Sequence, residues 1–372
     1  METIVVGAGP AGLAVSACLQ RAGIPFLILE QAPNVGATWH DHYHRLHLHT
    51  PKSLSALPYL SFPNSYPRYP SRLQVIAYLE EYARQFALEP KFGQRVVSAH
   101  PTAGGWEVQT QTTCYQAANL VVATGYARVP YLPQWPGQED FRGECLHSSA
   151  YHNGEPFRQR PVLVVGFGNS GGEIAIDLCE YGAETSMAVR SPVNVVPREV
   201  MGVPNVAISL AQNKLPSKFA DAINAPILRL RFGDLTRYGL RRPPHGPLAQ
   251  IAGSQRIPLI DVGTIKLIKQ GKIKVFPGIE RFTSTGVIFT DGRQQAFDTV
   301  VLATGYRPRV NTFLEGAAAA CDDQGTPLCS GRETQVAGLY FCGFYVSPTG
   351  MLREIGLEAR QIAAAIAKKY NK

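Results

Sequence analysis

Two stretches of this chain share one local pattern: a short apolar run, a glycine-rich turn and then helical spacing. The first passes from TIVV at 3–6 into GAGPAG at 7–12, and the second passes from PVLVV at 161–165 into GFGNSG at 166–171. Strand, turn and helix in this order are typical of dinucleotide binding, because the glycines allow a tight turn, close approach of a pyrophosphate and close helix packing. Two such openings predict an α/β protein with two Rossmann-like dinucleotide-binding domains.

The residue that ends the next apolar strand distinguishes the two openings. Residues 25–29 are followed by Glu30, 18 positions after Gly12, where a carboxylate accepts hydrogen bonds from ribose hydroxyls. Arg190 and Ser191 stand at the equivalent place in the second opening, and a guanidinium with a hydroxyl suits a 2′-phosphate. We therefore expect a flavin, FAD, at the first opening and NADPH, rather than NADH, at the second. The alternative for Arg190 is a solvated strand end.

Two further apolar strands predict how the domains are nested. Residues 119–126 and 299–306 both end in ATGY after an apolar run, as expected where the chain passes between two nucleotide domains. We expect residues 1–155 and 300–372 to form a discontinuous FAD-binding domain. Residues 156–299 would form an inserted NADPH-binding domain.

Two helical regions lie outside the glycine openings. Segment 200–258 is rich in proline, yet residues 216–240 have helical spacing with apolar and basic faces. This helical insertion could be a lid over a substrate entrance, a surface for a membrane interface or an ordinary packing element. The closing helix, at 352–370, follows Gly350, and its positive N-terminus would face the pyrimidine end of the flavin.

Composition excludes several classes of protein. The chain carries a net charge of +8 and is 45% apolar, which does not fit a disordered chain, and its basic residues are too dispersed for a nucleic-acid site. No apolar run approaches the roughly 20 residues of a transmembrane helix. The seven cysteines are scattered and include no CxxC pair, which argues against a disulfide framework and favours a cytoplasmic location.

A third motif lies just before the second glycine turn. Phe141, Gly143, His147 and Tyr151 form the pattern FxGxxxHxxxY, which at this location resembles the identifying sequence of class B flavin-containing monooxygenases. GAGPAG, FxGxxxHxxxY and GFGNSG in this order make the resemblance specific. Related Baeyer–Villiger monooxygenases usually carry Trp at the last aromatic position, so Tyr151 points away from them.

The resemblance narrows to the YUCCA-type flavin monooxygenases and covers most of the chain. The matching blocks are RLHLHTPK at 45–52, LPY at 57–59, FP at 62–63, YPSR at 69–72, PRE at 197–199, GLRRP at 239–243, IDVG at 260–263, GI at 278–279 and ATGYR at 303–307. Two departures stand out: the Gly-Gly pair common before Trp39 reads Gly36-Ala37-Thr38, and His49 replaces an Asn of many heteroatom-oxidising relatives.

This resemblance implies a flavoprotein monooxygenase that uses FAD, NADPH, molecular oxygen and a small organic substrate through a flavin hydroperoxide. The expected reaction is oxidative decarboxylation of an aromatic 2-oxo acid such as indole-3-pyruvate. The alternative is N- or S-oxygenation of a small soft nucleophile. A homodimer is an expectation at the level of the family.

The resemblance also assigns site residues. His49, at the flavin or peroxide face, and Asn169, facing NADP, are the candidate catalytic residues, while Lys52 and Arg307 are candidates for binding an anionic group. The candidate cofactor-binding residues are Gly7, Gly9, Pro10, Ala11, Gly12, Glu30, Gln31, Trp39, His49, Val96, Thr124, Gly125, Gly166, Gly168, Asn169, Ser170, Gly171, Arg190, Ser191, Thr304, Gly305, Arg307, Gly343 and Leu352.

Histidines are dense at positions 40, 42, 44, 47 and 49. Imidazoles in such a cluster can bind zinc or iron, but the run lies where the family threads the chain past the flavin, so we assign no metal. His147 has two interpretations, a structural hydrogen bond between domains or catalytic acid–base chemistry.

Two other classes of function remain as alternatives. A disulfide reductase of this architecture needs a redox-active cysteine pair, which is absent, whereas a ferredoxin-type reductase needs only FAD, NADPH and a docking face. A nucleotide-binding sensor without activity would bind NADPH without reducing a flavin.

Overall fold

The computed structural model describes residues 1–212 and 214–371 of the chain. These residues divide into two compact units that are each discontinuous in sequence. The first unit comprises residues 1–40, 50–129 and 306–372, and the second comprises residues 41–49 and 130–305.

Both units contain strands and helices. The strands are β1 (Thr3–Val6), β2 (Phe26–Leu29), β3 (Val96–Thr102), β4 (Gly105–Thr110), β5 (Cys114–Ala117), β6 (Asn119–Val122), β7 (Val129–Pro130), β8 (Glu144–His147), β9 (Pro161–Val165), β10 (Glu184–Ala188), β11 (Val195–Pro197), β12 (Glu199–Val200), β13 (Val203–Pro204), β14 (Leu259–Asp261), β15 (Ile273–Phe276), β16 (Ile279–Thr283), β17 (Gly286–Phe289), β18 (Gln294–Ala296), β19 (Thr299–Leu302), β20 (Tyr306–Arg307) and β21 (Leu339–Phe341).

The helices differ widely in length. They are α1 (Pro10–Arg21), α2 (Ala37–Asp41), α3 (Arg72–Gln85), α4 (Asn169–Glu180), α5 (Asn205–Ala211), α6 (Ser217–Phe232), α7 (Pro247–Ser254), α8 (Thr264–Lys269) and α9 (Met351–Tyr370). Short 3-10 turns occur at Lys52–Leu54, Gln138–Asp140, Glu155–Phe157, Thr236–Tyr238, Val310–Thr312 and Ala318–Ala320.

The first unit is built on a four-stranded parallel sheet in the order β2-β1-β6-β21. Strand β1 is central, with Thr3 opposite both Phe26 and Asn119. Its residues are all buried, as expected for a parallel strand covered on both faces. Helix α1 leaves β1 through the first glycine turn and packs against α9. The antiparallel strands β3, β4 and β5 add a second sheet, whose Trp106 lies in the same hydrophobic core as β1 and β6.

The second unit repeats this plan with a five-stranded parallel sheet in the order β15-β10-β9-β19-β8. Strand β9 leads through the second glycine turn into α4, which packs against β10. One face of the sheet lies in a core with Ile174 and Leu178 of α4, and the other face lies in an aromatic core with Phe276, Phe282 and Phe289. Two Rossmann-like parallel sheets therefore confirm the predicted fold class.

The structural boundaries differ from the boundaries that we expected at residues 155 and 300. Strand β8, which carries His147, pairs with β19, and β19 in turn pairs with β9. Both strands therefore belong to the second unit. The reason is that the two ATGY runs are equivalent: β6 lies beside β1 in one sheet, and β19 lies beside β9 in the other. The assignment of one nucleotide to each unit stays a prediction.

The insertion within the second unit is helical, as expected. Helix α6 packs against α7 and β11, and the buried carboxylate of Asp221 accepts hydrogen bonds from the first amides of α7, Leu248 N and Ala249 N. Phe219 and Leu230 on α6 have exposed side chains. Within the described ranges, no helix is both long enough and apolar enough to cross a membrane.

Candidate functional site

The first glycine turn leaves an open cradle at the start of α1. Gly7 has φ +108°, and a Cβ there would lie 2.7 Å from the carbonyl oxygen of Ala123, while a Cβ on Gly12 would lie 1.8 Å from the oxygen of Gly7. A Cβ on Gly9 would meet no atom within 4 Å. Pro10 is the first helical residue, and no side chain in the described part of the chain caps the helix, so the first amides after Pro10 can bind an anion. This cradle fits a pyrophosphate.

Glu30 holds its carboxylate beside that turn. The side chain is buried and accepts hydrogen bonds from Ala8 N at 2.6 Å and from Ala32 N at 2.9 Å. Each carboxylate oxygen has a second lone pair, so these bonds leave acceptor capacity for ribose hydroxyls. The amides fix the orientation of the carboxylate, a role that the sequence did not reveal.

The second glycine turn has nearly the same geometry. Gly166 has φ +116°, a Cβ there would lie 2.4 Å from Ala303 O, and a Cβ on Gly171 would lie 2.5 Å from Gly166 O. A Cβ on Gly168 would again meet no atom within 4 Å. Each turn is therefore packed against the first residue of an ATG segment, Ala123 or Ala303, and each leaves its middle glycine facing open space.

Asn169 and Ser170 begin α4 directly after this turn. The side-chain oxygen of Asn169 accepts a hydrogen bond from Ile260 N at 2.8 Å. The amide group of the side chain then remains as its donor, while the oxygen ties the helix start to β14. We therefore expect Asn169 to contact a nucleotide through its side-chain NH₂ group.

Arg190 and Ser191 follow β10 and are both exposed. Among the described residues, Arg190 forms no salt bridge, and its carbonyl accepts a hydrogen bond from the Arg241 guanidinium at 2.9 Å. Arg241 therefore adds a second cation at this strand end. Sequence reasoning assigned it no role, although it lies in the GLRRP block at 239–243.

The two ATG segments place equivalent residues at the ends of β6 and β19. Gly125 and Gly305 have φ +81° and +84°, and a Cβ on either would meet no atom within 4 Å. The Thr124 hydroxyl is buried without a hydrogen-bond partner in the described part of the chain, whereas the Thr304 hydroxyl donates to Tyr131 O. The buried Thr124 hydroxyl is thus a polar group that a ligand could satisfy.

His147 of FxGxxxHxxxY makes structural contacts inside the second unit. Its Nε2 donates to Gly305 O at 3.1 Å, and its Nδ1 accepts from Ser149 N at 3.1 Å. Burial lowers the pKa of His147, although the bond to Gly305 partly opposes this effect. The neutral Nε2–H tautomer fits both contacts, which favours a structural role, here within the second unit rather than between domains.

The structure pairs His49 with Glu173. His49 Nε2 contacts Glu173 Oε1, and both side chains are largely buried in the second unit. Glu173 is the residue that sequence reasoning missed here. The sequence could have suggested it, since it stands in the second turn of the helix that follows GFGNSG.

The expectation for Lys52 is wrong. Its ammonium group donates to three backbone carbonyls, those of Pro63, Asn64 and Tyr66, at 3.0, 2.8 and 2.6 Å. An ammonium has three hydrogens, so no donor is left for an anionic ligand. Lys52 is therefore a structural residue that holds the loop at 63–66.

The other predicted residues of the first unit occupy separate places in its fold. Gly343, with φ +85°, lies against Ala11 of α1, since a Cβ there would be 3.1 Å from that side chain. Its amide donates to the buried Glu358 at 2.6 Å, and burial is the main cause that raises the pKa of Glu358. The remaining residues are Gln31 after β2, Trp39 in α2, Val96 in β3, Arg307 in β20 and Leu352 in α9.

Comparison with known proteins places this geometry in a class. A family model described as pyridine nucleotide-disulphide oxidoreductase matches residues 4–201. Probable indole-3-pyruvate monooxygenase YUCCA1 of Arabidopsis thaliana is 42% identical over 349 residues, which cover 92% of this chain and 84% of that relative. Indole-3-pyruvate monooxygenase YUCCA8 of Oryza sativa subsp. japonica is 41% identical over 386 residues, covering 99% and 91% of the two chains. A solved variant of the flavin monooxygenase from Stenotrophomonas maltophilia is 25% identical, with a TM-score of 0.78 and coverage of 99% and 98%.

Two glycine-turn units, one with a carboxylate and one with an arginine after the second strand, define a two-nucleotide oxidoreductase of the pyridine nucleotide-disulphide oxidoreductase family. Within this class, the chain belongs to the YUCCA family of flavin monooxygenases, which confirms the resemblance seen in FxGxxxHxxxY. It is an NADPH-dependent flavoprotein monooxygenase, and its cofactors are FAD and NADPH.

Proposed function

We propose that this monooxygenase converts an aromatic 2-oxo acid, with indole-3-pyruvate as the first candidate, to the carboxylic acid one carbon shorter. In balance, the 2-oxo acid, O₂, NADPH and a proton yield the shortened acid, CO₂, NADP⁺ and water. The observation that carries this proposal is the identity of 42% over 92% of the chain with a relative named for this substrate.

We assign FAD to the first unit and NADPH to the second. When bound, FAD would supply the redox centre that takes electrons from NADPH and passes them to oxygen. Glu30 and the amides at the start of α1 would hold the ribose and pyrophosphate of FAD. Arg190, Ser191 and the neighbouring Arg241 would hold the 2′-phosphate of NADPH, and Gly168 would let the pyrophosphate approach α4.

The roles of His49 and Asn169 belong to this proposal. His49 would present a polar hydrogen-bonding group to the reacting centre, and Asn169 would use its NH₂ group on the nicotinamide nucleotide. Oxygen and the organic acid are the expected co-substrates. We further propose a cytoplasmic location, on the support that all seven cysteines are free, and a homodimer, which light scattering after gel filtration would test.

The direct experiment is product analysis with the purified, FAD-loaded enzyme. Indole-3-pyruvate, NADPH and oxygen should yield indole-3-acetate and CO₂, with one NADPH consumed per product. The comparison substrates are phenylpyruvate, a tertiary amine and a thioether. Oxygenated amine or thioether without any shortened acid would replace the proposed substrate class. NADPH oxidation that forms only hydrogen peroxide with every substrate would contradict monooxygenation of all of them.

A further inference from the structure

Helix α4 carries a row of carboxylates on one face. Glu173, Asp177 and Glu180 are spaced four and three residues apart, so their side chains lie above one another along the helix. We call these three residues the carboxylate row. Glu173 and Asp177 are 3% and 5% exposed, which is unfavourable for a carboxylate unless hydrogen-bond donors reach it.

Each member of the row has its own partner in the second unit. Glu173 contacts His49. Asp177 accepts a hydrogen bond from the Tyr151 hydroxyl at 2.7 Å. Glu180 forms an ion pair with Arg45. Burial and the neighbouring Asp177 raise the pKa of Tyr151, so its hydroxyl stays a donor. The last residue of FxGxxxHxxxY is therefore part of this arrangement.

Two of these partners come from the histidine-rich segment at residues 41–49. This segment belongs to the second unit, although residues of the first unit flank it in sequence. Tyr43 lies in the same hydrophobic core as Tyr151 and Ile174, and His44 N donates to His152 O at 2.8 Å. The segment is thus held in the second unit by a buried aromatic ring, by a backbone hydrogen bond to His152 and by the contacts of Arg45 and His49 with α4.

The contacts with the carboxylate row differ in strength. Glu180 is half exposed and Arg45 is partly exposed, so solvent weakens their attraction. The side chains of Glu173 and His49 are only 4% and 12% exposed, so solvent weakens their contact less. Because Glu173 contacts Nε2 of His49, Nδ1 is the ring nitrogen that is left for a further contact.

We propose that Glu173 is the positioning residue for His49: it holds the Nε2–H tautomer, orients the ring on α4 and leaves Nδ1 as the nitrogen available to the reaction. The catalytic role of His49 in this statement rests on the proposed function. Glu173 follows Asn169 by four residues, or about 6 Å of helix, so the helix that begins at the second glycine turn also carries the carboxylate that contacts His49.

The test compares Glu173→Ala and Glu173→Gln with wild-type protein, using the FAD-loaded enzyme. Asp298→Asn is the matched control, because Asp298 forms a surface ion pair with Arg160 in the same unit. Selective ¹⁵N-histidine labelling should show a slowly exchanging proton on His49 Nε2, assigned by its loss in His49→Asn. Glu173→Ala should lose this signal, and amide exchange across residues 41–49 should become about tenfold faster.

Activity supplies the second readout. Glu173→Ala should lower kcat for the 2-oxo acid about tenfold with little change in KM, and a larger share of NADPH should end as hydrogen peroxide. Glu173→Gln keeps an acceptor oxygen and should lie between Glu173→Ala and wild type. If Glu173→Ala does not fold, the Glu173→Gln variant still tests the positioning role. Asp298→Asn should match wild type throughout.

The outcomes separate two kinds of failure. An unchanged Nε2 proton and unchanged exchange at residues 41–49 in both Glu173 variants would overturn the positioning role, even if product forms normally. Global loss of stability with wild-type coupling of NADPH to product would also overturn it. Absence of shortened acid from wild-type enzyme would instead contradict the proposed function, while the proton and exchange measurements would still test the contact.

Discussion

At the scale of single residues, partners rather than residue types decide which polar groups remain for ligands. Lys52 has the charge of an anion ligand, but three carbonyls occupy its hydrogens. Arg190 keeps its guanidinium without a salt bridge among the described residues. Both cations are candidates for binding an anion by sequence, and only their polar partners distinguish a structural role from a binding role.

His147 gives the prediction at this scale. Because burial lowers its pKa, the unfolded chain binds a proton on this residue more readily than the folded chain does at mildly acidic pH. The free energy of unfolding should therefore rise with pH as the imidazole of the unfolded chain loses its proton around pH 6.5. His147→Gln, which does not titrate, should lack this part of the pH dependence.

The measurement is urea unfolding of both proteins at pH 5.5 and at pH 7.5. The difference in stability between wild type and His147→Gln should be larger, in favour of wild type, at pH 7.5. His245→Gln serves as the control, since His245 is exposed. A wild-type advantage that grew toward acid pH would mean that His147 is charged in the folded protein.

At the scale of elements, each nucleotide unit depends on how closely a helix can approach the strand that precedes it. A Cβ on Gly12 would overlap the oxygen of Gly7 at 1.8 Å, whereas one on Gly9 would lie in open space. Both glycines belong to one motif in the sequence. One serves the packing of α1 on β1, and the other leaves room beside the start of the helix.

This difference predicts opposite effects of the same substitution. Gly12→Ala should lower the free energy of unfolding by about 1 to 3 kcal/mol, because the helix must shift away from the turn. Gly9→Ala should unfold as wild type does, because its φ of −78° suits alanine and no atom is near. Thermal and urea unfolding of the FAD-free proteins measure both. Equal destabilisation by the two substitutions would contradict the assignment of Gly12 to helix packing and of Gly9 to the open space beside the helix.

At the scale of the whole molecule, the two units repeat the same order of strand, glycine turn and helix but differ in the residue that follows the second strand. Gly7 and Gly166 share a positive φ and a close contact, Gly12 and Gly171 share a close contact, and Gly125 and Gly305 share a positive φ beside open space. The strand ends differ, with Glu30 in one unit and Arg190 in the other. One architecture can therefore serve two nucleotides of different charge.

A pair of matched variants tests this assignment. Gly9→Ala should reduce FAD retention while NADP⁺ still binds, and Gly168→Ala should retain FAD but weaken NADP⁺ binding, because each new methyl group would occupy space that we assign to a pyrophosphate. Flavin absorbance after gel filtration and calorimetric titration with NADP⁺ measure the two sites separately. Loss of FAD in Gly168→Ala with retention in Gly9→Ala would reverse the assignment.

The sequence by itself determined the local elements and the two nucleotide units. Strands at 3–6 and 161–165, the helices that follow and the closing helix were all predicted, because apolar runs, glycine turns and helical spacing are local properties of the chain. The family was also visible, since FxGxxxHxxxY lies between two intact glycine motifs.

The tertiary structure decided which distant residues meet. It paired β8 with β19 and so moved the domain boundaries, it brought His49 to Glu173, 124 positions away, and it occupied Lys52 with carbonyls. These outcomes depend on strand register and on the competition for hydrogen-bond partners across the fold. Neither is encoded in a local pattern, because a side chain's spacing in sequence does not specify which distant group satisfies it.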